Sequence, residues 1–148
     1  MRFMVTVKMR EDAGEAPAAL QEAMGRGMQE MFASGEMVDA AGLFPLALST
    51  EIRVAGGQLT VTDGPYAEAK EVAGGYAILR VDTPEQAVAR AREVAELHQS
   101  FWPGWEGSLE VRRSAGTSSI YLMLGSLDQA AGLPARGKSR PMATFRRI

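Results

Sequence analysis

Between residues 63 and 75 the chain gathers Asp63, Glu68, Lys70 and Glu71 around a Gly64–Pro65 corner, just ahead of a Gly74–Gly75 pair. Pro65 fixes its own φ and Gly64 tolerates unusual φ, so together they hold Asp63 in a rigid turn at the end of a strand. A carboxylate held there has two uses. It can accept backbone N–H bonds and stabilise the turn, or it can face a pocket as a general base or as an anchor for a cationic or hydroxylated ligand. Lys70 and the two glutamates lie within eight residues of it. Opposite charges this close favour each other's charged forms. In a cleft such a cluster marks a site, whereas on an open surface it is a solvated ion-pair network of small energetic value. Helical spacing would set Glu68 and Glu71 on one face, and strand spacing would pair Glu68 with Lys70. Gly74 and Gly75 read as a bulge at the start of a strand or as a point of close approach. The candidate set is therefore Asp63 and Lys70 for chemistry, with Gly64, Tyr66, Glu68, Glu71 and Gly75 as ligand contacts.

The rest of the composition narrows the chemistry further. The 148 residues include no Cys and a single His, His98, which removes disulfides, thiol catalysis and multi-histidine metal sites within one chain. No cofactor or metal is expected. Residues 1–113 carry a net charge of −6 and residues 114–148 one of +4. An acidic body argues against nucleic acid as the partner, since phosphate binding needs clustered cations. The basic end reads as a solvated segment. No apolar run approaches the ~20 residues of a membrane span, so no membrane partner is expected and a cytoplasmic location is the working expectation.

These groups need a scaffold, and the pattern of the chain supplies one. Phe3–Val7 is rich in β-branched residues and predicts a strand. Leu20, Met24, Met28, Met31 and Phe32 recur at helical spacing after Pro17, which suits a first helical turn, and Gly35 suits the end. A second strand follows over Met37–Leu43. Glu51–Val54 and Gln58–Val61 flank Ala55-Gly56-Gly57, a strong hairpin signal. Gly75–Val81 predicts another strand. Thr83-Pro84-Glu85-Gln86 is a capping box with Pro at the first helical position, and Ala87, Val88, Ala91, Val94, Ala95 and His98 continue it as one apolar stripe. His98 reads as a satisfied structural histidine. Trp102 and Trp105 form an aromatic loop that seals the core or walls a pocket, and Ser108–Val111 is the last strand.

The order β-α-β, hairpin, β-α-β is an α+β, ferredoxin-like split βαβ plan with an inserted β-hairpin. Two helices cover one face of such a sheet. The other face needs cover, and a homodimer is the expected assembly. Residues 1–113 form the domain. Residues 114–148 are an extension, partly ordered or docked on the dimer, in which the apolar run Ile120–Leu124 calls for packing.

The segment Asp63-Gly64-Pro65-Tyr66, the following Glu68-x-Lys70-Glu71 and the Gly74–Gly75 pair together resemble the signature of the DGPF family of YCII-related proteins. The resemblance covers about residues 2–113 and implies a small ferredoxin-like protein whose homodimer stacks its sheets in a dimeric α/β barrel. It also implies a regulatory setting beside extracytoplasmic-function sigma factors. Better-known YCII relatives pair a His with an Asp in a pocket, but the first βα half of this chain contains no His, so that dyad has no counterpart. The expectation is a binding module for a small polar or anionic metabolite. The alternative is an enzyme of proton transfer or hydrolysis on a small organic acid, with Asp63 as base and Lys70 as stabiliser.

Overall fold

The computed structural model describes residues 1–66 and 70–115. Glu68, the extension from residue 116 onward and its Ile120–Leu124 run lie outside the described residues. Six strands and two α-helices run in the order β1 (Arg2–Met9), α1 (Ala18–Ser34), β2 (Met37–Gly42), β3 (Thr50–Ala55), β4 (Gln58–Asp63), β5 (Val72–Arg80), α2 (Pro84–Phe101) and β6 (Gly107–Arg113). Short 3-10 turns at Glu11–Ala13 and Leu46–Leu48 punctuate the loops. Strands β2, β5, β1 and β6, in that spatial order, make one antiparallel sheet, and β3–β4 pair only with each other. This is the ferredoxin-like α+β plan, with the hairpin inserted between the two βαβ halves.

Local chemistry accounts for the element boundaries. Thr83 Oγ1 accepts from the N–H of Gln86 at 3.3 Å and Gln86 returns its side chain to the Thr83 N–H at 3.2 Å, a complete capping box. Pro17 sits one residue before α1, at the N-cap position, and Gly35 ends the helix in a left-handed conformation at φ 77°. Gly56 and Gly57 both have positive φ, the requirement of the two-residue turn that matches strand twist. The register of β1 against β5 slips where Val7 pairs with Gly75 and Lys8 with Ala73, so Gly74 is the extra residue of the expected bulge.

The core lies between the helices and one sheet face. Val5, Met37, Leu79 and Ala91 form one buried cluster, with Met28 and Met31 of α1 packed against it. Phe3, Val81 and Ala87 form a second. Two residues of the expected stripes fall outside it: Phe32 is 45% exposed and Val88 49%. Each lies roughly 85° around its helix from the centre of the buried face, at the edge of an apolar stripe rather than on it.

The opposite sheet face is polar at its centre. There Glu110 forms ion pairs with Lys8 and, at 3.5 Å, with Arg112, while the Tyr76 hydroxyl donates to Asp39 Oδ2 at 2.8 Å. Hydrogen bonding to Lys8 holds the Glu110 carboxyl below its ordinary pKa. The bond to the Asp39 carboxylate raises that of Tyr76. Met4 remains 40% exposed on the same face.

Candidate ligand cavity and the glycine–proline corner

The corner at Gly64–Pro65 is built as tightly as its sequence suggests. Its peptide bond is cis. A Cβ on Gly64 would fall 1.7 Å from the carbonyl oxygen of Leu46, so no larger residue fits without moving backbone. Gly64 N–H donates to Ser49 O at 2.8 Å, Ser49 Oγ donates to Leu46 O at 2.7 Å, and the Ser49 and Tyr66 hydroxyls are hydrogen-bonded at 2.9 Å. Glu11 Oε1 accepts the Leu46 N–H at 2.8 Å, tying the corner to the loop after β1. These contacts clamp the two ends of the hairpin together.

The sequence-derived site residues divide into separate places. Asp63 is exposed at the end of β4 and its Oδ1 accepts from Thr50 Oγ1, its cross-strand neighbour, at 2.9 Å. The carboxylate is thus bonded to a side-chain hydroxyl across the hairpin rather than to a backbone N–H of the turn. Tyr66 serves the corner through Ser49. Lys70 is exposed and forms no hydrogen bond or ion pair with a described residue. Glu71 accepts from Ser108 Oγ at 3.3 Å, at the edge of the four-stranded sheet. Among the described residues no hydrogen bond or ion pair joins Asp63, Lys70 and Glu71 to one another, and of the described members of the set only Gly75 lines the main cavity.

That cavity, about 470 Å³, lies between α1, α2 and the covered face of the sheet. The volume falls in the range of small-molecule sites. Its walls are Met24, Met28 and Met31 of α1, Val94, Leu97 and His98 of α2, and Trp102 beyond it. The floor is Val5, Val7 and the small residues of β2 and β5: Ala40, Ala41, Gly42, Gly74, Gly75 and Ala77. Small residues on the sheet and a glycine on the helix above, Gly27, leave the space. A Cβ on Gly27 would meet nothing within 4 Å, and Gly27 lines the cavity. Exposed Arg10 and Glu93 stand at the rim.

His98 is the polar group set among these apolar walls. It is 5% exposed, and its Nδ1 lies 2.8 Å from Val94 O. A carbonyl only accepts, so Nδ1–H donates, and in the neutral ring Nε2 is left as an acceptor. Trp102 stacks on the imidazole at 6.2 Å between centroids and Trp105 tilts against it at 4.5 Å, fixing its plane. His98 is thus satisfied on one nitrogen, as its place on the apolar stripe suggests, yet it also lines the cavity. Sequence reasoning assigned none of the methionine, His98 or Gly27 positions to a site. The available signal was an unfavourable glycine on the buried side of a helix, opposite a strand of Ala and Gly.

Among the described residues no three His, Asp or Glu side chains converge to hold a metal ion. No described helix is long and apolar enough to cross a membrane. The described residues thus build a ferredoxin-like α+β domain with a largely apolar cavity beneath its first helix. The model of the YCII-related domain matches residues 1–102, and the chain belongs to that family. Among curated proteins no match to the chain was found.

Proposed function

We propose that this YCII-related domain binds a small amphiphile, with the apolar body of the ligand in the cavity under α1 and its polar head at the rim. The observation that carries the reading is Gly27. Glycine in a helix interior costs about 1 kcal/mol relative to Ala, and here any side chain would enter the cavity. The helix gives up stability at a position that, with the small residues of the sheet floor, keeps the space open. The apolar lining favours an amphiphile over the fully polar or anionic metabolite suggested by the charge cluster at residues 63–71. At the rim Arg10 is held by Asp12 at 2.6–2.7 Å, so an anionic head there competes with that carboxylate. His98 Nε2 is available to a hydroxyl or other donor that reaches deeper. With Asp63 engaged by Thr50 and away from Lys70, binding is better supported than proton transfer on an organic acid.

The second element of the reading is a homodimer formed through the polar sheet face. Lys8, Arg112, Arg2 and Arg80 lie there with Asp39 and Glu110, so the face offers groups of both signs to a two-fold contact. The Asp63-Gly64-Pro65-Tyr66 run supports placement in the DGPF-type branch and, with it, a regulatory setting linked to sigma factors.

The test uses 1-alkanols and alkanoic acids from six to fourteen carbons as probes, read by calorimetry and thermal stabilisation. Each buried methylene contributes about 0.8 kcal/mol, so affinity should rise about fourfold per carbon and then level off when the cavity is full. Absence of chain-length dependence, or of any thermal shift across the series, would refute the proposal.

A further inference from the structure

Among the described residues the β3–β4 hairpin belongs to no other sheet. Its cross-strand pairs Ile52–Val61 and Val54–Leu59 set four apolar side chains on one face, and these are 62–71% exposed. Glu51, Arg53, Thr60 and Thr62 alternate onto the other face. Apolar on one side and polar on the other is the pattern of a sheet that covers something. Yet every residue of β4, and all of β3 except Glu51, is exposed. A two-stranded hairpin is marginal in water by itself, and here the Gly64 corner clamps only its base. Its apolar face therefore needs a partner surface.

Area points to the partner. Four strands about 4.8 Å apart, each about seven residues at roughly 3.3 Å, give the uncovered sheet face about 440 Å². That is little more than half of the ~800 Å² per partner that a stable interface buries. Four largely exposed aliphatic side chains on the hairpin contribute roughly 70–80 Å² each, about 300 Å² together. Sheet face and hairpin face combined come to about 740 Å², close to what a stable dimer needs, and neither reaches it alone. The hairpin also has the reach, since six residues at ~3.3 Å span about 20 Å, the width of a four-stranded sheet.

We propose that the β3–β4 hairpin is a subunit arm, whose Ile52–Val54–Leu59–Val61 face packs on a second copy of this chain in a two-fold dimer. This rests on the dimer reading of the sheet face, and the test separates the two. Light scattering over a concentration series would compare the full chain with three double or single variants. In the first, Ile52→Lys with Val61→Lys charges the apolar hairpin face. In the second, Thr60→Lys with Thr62→Lys charges the polar hairpin face. In the third, Thr6→Lys charges the middle of the open sheet face, where Thr6 pairs with Tyr76 and Glu110. Circular dichroism checks that each remains folded. The dimer dissociation constant should rise about 100-fold or more for the first variant and the third, and by less than about threefold for the second.

A dimer that survives the first variant but not the third overturns the arm and leaves the sheet contact standing. A wild-type chain that is monomeric at about 100 µM overturns both. Because the chain has no Cys, Val54→Cys carries the only thiol and can be labelled with a photoreactive maleimide. An adduct of dimer mass supports the arm. An adduct only within one chain, mapping to residues 116–148, shows that the extension covers the face and overturns it.

Discussion

Filling the cavity from Gly27 should strengthen the fold and weaken the binding, and the two effects can be sized from the structure. Gly27→Ala adds a Cβ with nothing within 4 Å, so only helix propensity changes, a gain of about 1 kcal/mol. Gly27→Leu keeps nearly that gain and adds apolar burial against Met24, Met28 and the sheet floor. Complete burial of Leu contributes 1.5–3 kcal/mol, and a half-open cavity with some lost rotamer freedom leaves about 1. The expected total is about 2 kcal/mol, or roughly 6 °C in Tm for a chain of this length. Gly25 is the control, because it too has open space at its Cβ but is exposed and lies outside the cavity. Gly25→Ala should match Gly27→Ala, while Gly25→Leu should add nothing beyond it. In the alkanol series the four-carbon Leu side chain should shorten the chain length at which affinity levels off by about three or four methylenes. Thermal melts and calorimetry on the same preparations read both effects. A Gly27→Leu protein that melts below Gly27→Ala, or an unchanged levelling point, would show that the space under α1 is not a ligand cavity.

Three further outcomes follow from local geometry. Gly64→Ala forces the backbone of the corner apart and loosens the bonds among Gly64, Ser49, Leu46 and Tyr66, each worth about 1 kcal/mol. A loss of about 2–3 kcal/mol is expected, with amide exchange accelerated first at residues 46–50 and 63–66; an unchanged melt would refute the clamp. Thr83→Ala removes the reciprocal cap of α2 and should cost about 1 kcal/mol, while Thr83→Ser should retain most of it, as measured by denaturant midpoints. For Tyr76, the hydrogen bond to the Asp39 carboxylate raises its pKa, so the protonated form is the one favoured by folding. That contribution is present below the ordinary tyrosine range near 10 and is lost as pH rises through the folded value. In an ultraviolet titration of the three tyrosines, Asp39→Asn should move one transition down toward the ordinary range. No movement would show that the bond is absent in solution.

Much of the plan was legible in the chain. The capping box at Thr83, the Gly56–Gly57 turn, the helix stop at Gly35 and the bulge at Gly74 are local choices, each governed by a few neighbouring residues. Stripe centres were legible for the same reason, while the stripe edges Phe32 and Val88 were not, because exposure at an edge depends on how closely the next element packs. The corner was recognisable from Gly64–Pro65, and its tightness against Leu46 explains why glycine stands there.

The site was another matter. Asp63, Lys70 and Glu71 are neighbours in sequence, and proximity along the chain suggested a common pocket. The hairpin ends at Asp63 and β5 begins at Val72, and Asp63 is bonded to Thr50 while Glu71 is bonded to Ser108. The cavity instead joins residues far apart in the chain, from Val5 to Leu109, and its volume depends on the distance at which α1 is held from the sheet. Periodicity along a sequence reports which face of a helix is apolar. Whether that face meets a side chain or a void is set by packing between elements, which only the folded chain decides.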